Sequence, residues 1–279
     1  MALSNLNESV SFFAPPTDLD FLDQDSDTFD FLGWQYFSTE TIPVAATNAS
    51  ENQASLDTTS NNNIQAGFFS GFDVVLDSDA GYLLSFTLKV IDESGGPDDD
   101  KNSDGKRDRA GFSVIVAGDD PTQALELIFF EDGVAALEDG TIQADPSLEP
   151  DPNNPNDPNV LFTQAESASF TSTNAVVEYD LKVLGDHYTL FADGISVLSG
   201  DLRNYTEADT TVTVNAPILG QVSLDPYEIP NFIFLGDDTP SAQAEVELKD
   251  ISLDTTLNTI DFGTFPENLP DGNSVRTIN

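Results

Sequence analysis

The sequence has no cysteine, one histidine (His187), one tryptophan (Trp34) and nine lysines and arginines against 50 aspartates and glutamates. Each scarcity removes a class of chemistry. Without cysteine there is no disulfide framework and no thiolate metal site. A lone histidine makes a histidine-based zinc centre or a Ser-His-Asp triad hard to build. A formal net charge of −41 repels nucleic acid and anionic membrane surfaces, whose binding rests on clustered lysine and arginine. No apolar run approaches the ~18 residues of a membrane-spanning helix, so no membrane insertion is expected. The opening residues, MALSNLNESVSFFAPP, show no basic segment ahead of an apolar one, so no signal peptide is visible.

What the chain does have is a core and a large excess of acid. Hydrophobic residues make up 39%, with 20 phenylalanines among them, so the acidity marks a charged surface and not an unfolded chain. Such a surface attracts cations and, unscreened, strains the folded state by self-repulsion. It reads in two compatible ways: as a solubility feature suited to a saline medium, and as a source of aspartate clusters that bind calcium.

The clearest architectural stretch is Tyr179–Gly200, YDLKVLGDHYTLFADGISVLSG. Three β-prone runs, Val176–Leu184, His187–Ala192 and Ile195–Leu198, are divided by Gly185-Asp186 and Asp193-Gly194. Asp-Gly between alternating runs signals a hairpin, because both central residues of a type I′ turn take positive φ. The stretch therefore reads as a three-stranded antiparallel meander. Tyr82–Val90 alternates as a half-buried strand does, with Tyr82, Leu84, Phe86, Leu88 and Val90 on one face. Phe29–Phe37, Gly111–Ala117, Ala124–Phe130, Val134–Leu137, Asn231–Leu235 and Ala244–Leu253 read as further strands. In the last of these, Val246 and Leu248 share one parity and Ile251 and Leu253 the other, which calls for a bulge near Lys249-Asp250.

Thr39–Asn63 reads as a long loop with one weak strand at Ile42–Ala46. Phe68, Phe69 and Phe72 are expected to cover an end of the domain or line a binding edge. Trp34 either anchors the core or stacks on a sugar ring. Short strands, frequent turns and no long amphipathic helix give an all-β fold, an antiparallel β-sandwich.

The meander, followed by NFIFL, Gly236 and AEVELKDISL, resembles the strand pattern of the laminin-G-like and concanavalin-A-like jelly rolls over residues 28–262. The resemblance implies a jelly-roll sandwich, with carbohydrate binding among the functions of its relatives. The expected organisation is a tail at 1–17, one domain at 18–265 and a second tail at 266–279. The domain carries an exposed insertion at 145–159, DPSLEPDPNNPNDPN, whose five prolines forbid a central strand.

One motif carries chemistry. Asp100-Lys101-Asn102-Ser103-Asp104-Gly105-Lys106-Arg107-Asp108 reads D-x-N-x-D-G-x-x-D. Calcium takes ~6–8 oxygen ligands, and oxygens at alternate positions of a tight loop converge on one point. Asp100, Asn102 and Asp104 would supply side chains, Lys106 its carbonyl, and Asp108 a carboxylate directly or through water. Gly105 permits the sharp turn. The loop resembles those of EF-hands, dockerins and thrombospondin type 3 repeats over these nine positions. It departs from them at Gly111, where they carry an acid, so a further ligand would come from Asp92, Asp98, Asp99 or water. The competing reading is a solvated Asp/Asn/Gly loop, which forms without an ion. A weaker cluster, Asp23, Asp25, Asp27 and Asp30, has similar spacing without the glycine.

Catalytic signals are sparse. Glucanases of such jelly rolls carry E-x-D-x-x-E or a near variant on one strand, and none occurs here. Glu126 and Glu131 lack a central aspartate, and alternation sends them to opposite faces. His187, at a turn exit, reads as a surface or cross-strand residue. The expected function is a non-catalytic, extracellular or cell-surface, calcium-binding module for a glycan or surface polymer. Tyr205, Tyr227 and Trp34 are its aromatic candidates, each more readily read as packed. The alternative is a structural or assembly subunit of a bacterial surface layer, fibre or matrix, self-associating through edge strands or the Phe12-Phe13 tail.

Overall fold

Two kinds of strand emerge from the sequence, those that alternate and those that are apolar throughout, and they go to different sheets. A computed structural model describes residues 10–11, 35–39, 44–48, 53–60, 64–70, 75–95, 105–138, 163–170, 175–206, 212–216, 220–239 and 242–255. In chain order its strands are β1 (Val10–Ser11), β2 (Gln35–Ser38), β3 (Ala45–Asn48), β4 (Gln53–Asp57), β5 (Ala66–Phe69) and β6 (Tyr82–Gly95). There follow β7 (Ser113–Ala117), β8 (Ala124–Phe130), β9 (Gly133–Leu137), β10 (Gln164–Ser169), β11 (Val177–Leu184) and β12 (His187–Ala192). The last are β13 (Ile195–Asp201), β14 (Val212–Ala216), β15 (Gly220–Leu224), β16 (Phe232–Asp237) and β17 (Ala242–Asp254), with a single 3-10 turn at Pro226–Glu228 among the described residues.

The first sheet runs β13-β12-β11-β6-β17-β4-β3, with β1 also paired to β17; the second runs β10-β9-β8-β7-β16-β5-β2. All pairings in both are antiparallel. At the centre of each, strands distant in sequence meet, β6 with β17 and β7 with β16. The expected antiparallel jelly-roll sandwich is the fold. β14 and β15 form a separate hairpin.

The alternating strands build the first sheet. Tyr82, Leu84, Phe86, Leu88 and Val90 of β6 are all buried, as are Tyr179, Leu181 and Val183 of β11. The meander forms in the expected order, with a register shift in the β12–β13 pairing between Leu190 and Phe191. Its second turn has φ of 49° at Asp193 and 73° at Gly194, the pair of left-handed residues a type I′ turn requires. The bulge also falls where parity demands it: the β17 register shifts between Lys249 and Ser252, around Asp250 at φ 52°. The shift lets Val246, Leu248, Ile251 and Leu253 all face inward.

The second sheet is different. Every residue of β7, β8, β9 and β16 is buried. Its inner face joins the main core. Its outer face carries a second apolar layer, where Tyr205, Tyr227 and Ile229 pack over Ile115, Ile128, Phe130, Phe232 and Phe234. A sheet covered on both faces has no reason to alternate.

Three expectations need correction. Residues 39–63 hold two strands, because β4 inserts beside β17 and buries Ala54 and Leu56; two inward side chains in five residues are too short a pattern to stand out. Phe68 and Phe69 are not at an end or edge, since β5 lies between β16 and β2. Phe68 enters the core, while Phe69 stacks 6.2 Å from Phe232 on the outer layer. β6 runs past the expected Val90 to Gly95, so Asp92 lies within the strand, opposite Glu245. Phe12, Phe13, Trp34, Phe72, the 145–159 insertion and the 266–279 segment lie outside the described residues.

The sheets are held together by an aromatic cluster. Phe129 lies 5.7 Å from Phe86, 5.9 Å from Phe112 and 5.0 Å from Tyr179, each edge-on. Such pairs add ~0.5–1.5 kcal/mol each beyond area burial. Side chains also tie the open sides: Tyr36 Oη accepts Val44 N–H at 3.1 Å, and Tyr188 Oη donates to Glu166 at 3.2 Å. Phe129→Ala is expected to cost about 3–5 kcal/mol, read as a lowered urea midpoint, and Phe129→Leu distinctly less.

Candidate functional site

The calcium-type loop enters the described structure at its sharp turn. Gly105 has φ of 86°, and nothing lies within 4 Å of where a Cβ would stand. This is the glycine the motif needs at its sixth position. Beyond it the chain is fastened. Asp108 is fully buried and one carboxylate oxygen accepts Gln164 N–H at 3.3 Å. The Gln164 amide returns a 2.5 Å bond to the Arg107 carbonyl. The end of the motif is thus clipped to the start of β10.

Arg107 gathers the surrounding rim. Its guanidinium pairs with Glu93 near the end of β6 and with Asp132 in the β8–β9 turn, and lies 4.0 Å over the Phe130 ring. Glu93 also accepts Glu131 N–H at 2.7 Å. Burial raises the Glu93 carboxyl above the ordinary range, while that amide and the Arg107 charge pull it back. One cation therefore joins the end of β6, the loop and the β8–β9 turn. With its side chain 38% exposed the arginine is screened by water, and the tie is worth little more than ~1 kcal/mol.

Of the five proposed ligands, Lys106 and Asp108 lie in the described segment. Asp100, Asn102 and Asp104 lie outside it, as do Asp98, Asp99 and the whole cluster of Asp23, Asp25, Asp27 and Asp30. Among the described residues no group of three or more Asp, Glu or His side chains is arranged to hold a metal.

The aromatic candidates fare differently. Tyr205 and Tyr227 are buried, with ring centroids 5.0 Å apart beneath the surface, so neither offers a face to a ligand. His187 is exposed on β12 beside Asp201, its cross-strand partner, and Asp186.

A second constellation escapes the sequence altogether. Glu126, 2% exposed, stands in the outer apolar layer. Its carboxylate accepts a bond from the Tyr227 hydroxyl, and its backbone N–H donates to the Tyr205 hydroxyl at 3.3 Å. Ser113 Oγ donates to Asp238 at 2.9 Å, and the Arg109 charge lies nearby. Burial, and then the Asp238 charge, push Glu126 well above the usual carboxylate range. Burial raises Asp238 too, opposed by Ser113 and Arg109. Glu126 and Tyr227 stand 101 residues apart, and no local motif announces the pair.

The fold defines the class: an antiparallel two-sheet β-sandwich. No family model matches the chain, and no curated protein matches it. Among solved structures it is similar to the Emp46p carbohydrate recognition domain in metal-free form, at 11% identity and TM-score 0.43, covering 91% of this chain and 99% of that one. It is similar to the carbohydrate esterase vb_24B_21 of Shiga toxin-encoding bacteriophage phi24B, at 10% identity and TM-score 0.44, covering 78% and 88%. The carbohydrate binding module CBM66 of Bacillus subtilis matches at 8% identity and TM-score 0.32, covering 75% and 85%. These likenesses are distant ones of architecture, and the site rests on the residues of this chain.

Gly105→Ala is expected to lower stability by about 1 kcal/mol through the left-handed backbone alone, since the space beside it is open. Gly105→Asn should cost less, and chemical denaturation of both variants measures the difference.

Proposed function

We propose that this chain is a non-catalytic, extracellular or cell-surface β-sandwich module whose rim loop at 100–108 binds calcium and whose rim recognises a glycan or other surface polymer. The observation that carries the calcium reading is Gly105: it takes the left-handed turn at the sixth position of D-x-N-x-D-G-x-x-D, and the following residues are pinned to β10. Asp100, Asn102 and Asp104 would hold the ion with their side-chain oxygens and Lys106 with its carbonyl. Asp108, already bonded to Gln164 N–H, would add a carboxylate oxygen or anchor the loop from behind. The ion's role is structural. It offsets charge in a chain of net −41 and sets the loop on a rim already tied by Arg107.

The polymer reading is supported by architecture. A rigid sandwich carries its variable loops at the rim, where recognition residues sit on most such scaffolds. Among the described acids, Glu126 is sealed in the outer layer and Glu93 is engaged by Arg107 and Glu131 N–H.

Calcium titration by calorimetry, with melts in calcium and in chelator, tests the loop. Wild type is expected to bind and to melt higher in calcium, by the mass action of an ion that favours the folded state. Asp104→Ala is expected to lose both effects; an unchanged melting shift in that variant would remove the loop from consideration. Glycan-array binding that vanishes in chelator would support the recognition role. Calcium-dependent oligomers without glycan hits would instead favour an assembly subunit.

A further inference from the structure

A sheet that stays open ends in strands whose outer backbone groups lack a neighbour, and proteins guard such edges by keeping them short, charged, bulged or covered. The first sheet ends in β13 and β3, the second in β10 and β2. β2 and β3 are four residues each. β10 carries Glu166 and a register irregularity between Gln164 and Ser167. β13, at seven residues, is the longest of the four. Its stretch Ile195–Gly200 holds no charge and no proline, in a chain of which 21% is charged. Its one guard is the bulge opposite Leu190. We propose that β13 is an assembly edge, at which two copies of this chain pair strand to strand, antiparallel, about a two-fold axis.

The strand is held ready for a partner. Leu198 is buried in the main core and Val197 packs against it. A Cβ at Gly200 would strike the Glu166 carboxylate of β10. Glu166 is itself held by Arg203 at 2.5 Å and by the Tyr188 hydroxyl at 3.2 Å. These contacts lie on the inner side of the strand, because Gly200 pairs with the buried Tyr188. The chain then leaves the edge. Arg203 crosses to the second sheet, where its N–H donates to the Ala124 carbonyl at 2.7 Å and its carbonyl accepts Ala124 N–H at 2.8 Å. Among the described residues no strand lies along the outer side of β13. Ile195, at its start, is left 50% exposed. An edge fixed in this way loses little conformational entropy on pairing.

The occupant follows from charge. A surface of net −41 draws basic partners everywhere and gives them no reason to choose an uncharged strip. For a second copy, equally acidic, that strip is the place of least repulsion. It meets a strip of the same length, with the same small outward side chains at Ser196 and Ser199. Two-fold pairing is also the commonest way a chain meets itself. One strand pair is a small interface, so the dimer is weak and concentration-dependent. Asp193 and Asp201 bracket the strip, so two copies repel at its ends and salt strengthens the pairing. Neither the 100–108 loop nor a glycan takes part, so the pairing stands or falls independently of the proposed function.

Sedimentation velocity on the full chain, at low salt and at about 0.5 M salt with chelator present, reads the pairing. A monomer–dimer equilibrium that strengthens with salt is expected. Ser199→Asp sets like charges against each other across the axis and is expected to weaken it about fivefold. Thr189→Asp, at the cross-strand neighbour inside the sheet, adds the same charge and is expected to leave it unchanged. Ser196→Asp serves if Ser199→Asp fails to fold. The chain has no cysteine, so Ser196→Cys, Val197→Cys and Ser199→Cys each report directly. Paired residues hold their Cα atoms about 4.5–5.5 Å apart, within disulfide reach. The variant nearest the axis is expected to give a disulfide dimer on oxidation, and Thr189→Cys none. A chain that stays monomeric at high salt overturns the proposal. So does a dimer weakened alike by Ser199→Asp and Thr189→Asp, and so do open-ended oligomers, which mark head-to-tail pairing with another edge.

Discussion

Burial of the second sheet on both faces is the constraint from which most of this structure follows. Strands β7, β8, β9 and β16 have no solvent side, so every polar group placed on them must find a partner inside the protein. Ser113 meets the Gly236 carbonyl and Asp238; Glu126 meets Tyr227; Asp237 meets Thr58 and Thr239. An aliphatic residue at Glu126 would fill the layer without this network. The acid instead ties β8 to Tyr227, whose hydroxyl it accepts.

The same sheet positions the rim. The β8–β9 turn carries Asp132, and Phe130 just before it offers its ring to Arg107. Because that turn projects from fully packed strands, it is a firm support for Arg107. Arg107, Asp108 and Arg109 form a short bridge between two regions. Arg107 faces the rim pair Glu93 and Asp132, Asp108 is locked to β10, and the charge of Arg109 acts on the buried acids. In a chain with nine basic residues, two of them flank the inner end of the candidate calcium loop. Arg107 holds that end to the rim, and Gln164 holds it to β10.

Legibility in the sequence varied with the range of the interaction involved. The meander was readable because its turns and alternation lie within 22 residues, Tyr179–Gly200, and each turn's geometry is chosen by its own two residues. The bulge in β17 was readable because a change of parity has one cheap solution. β4 was not, because Gln53–Asp57 holds too few apolar residues to reveal a strand until β17 lies beside it. Phe68 and Phe69 looked like rim residues because their run is short and glycine-flanked; pairing on both sides made β5 interior.

The sequence by itself determined the all-β class, the hairpins, the acidic character and the spacing of the calcium motif. All of these depend on neighbours a few residues apart or on composition. Only the tertiary structure decided which apolar runs would be covered twice and that Tyr205 and Tyr227 would be a lid beneath the surface. It alone brought Glu126 against Tyr227. Side-chain type records what a residue can do, but whether a carboxylate meets water, an arginine or another carboxylate is settled by chain segments far away. In a sandwich whose central strands pair across more than a hundred residues, that information is not local.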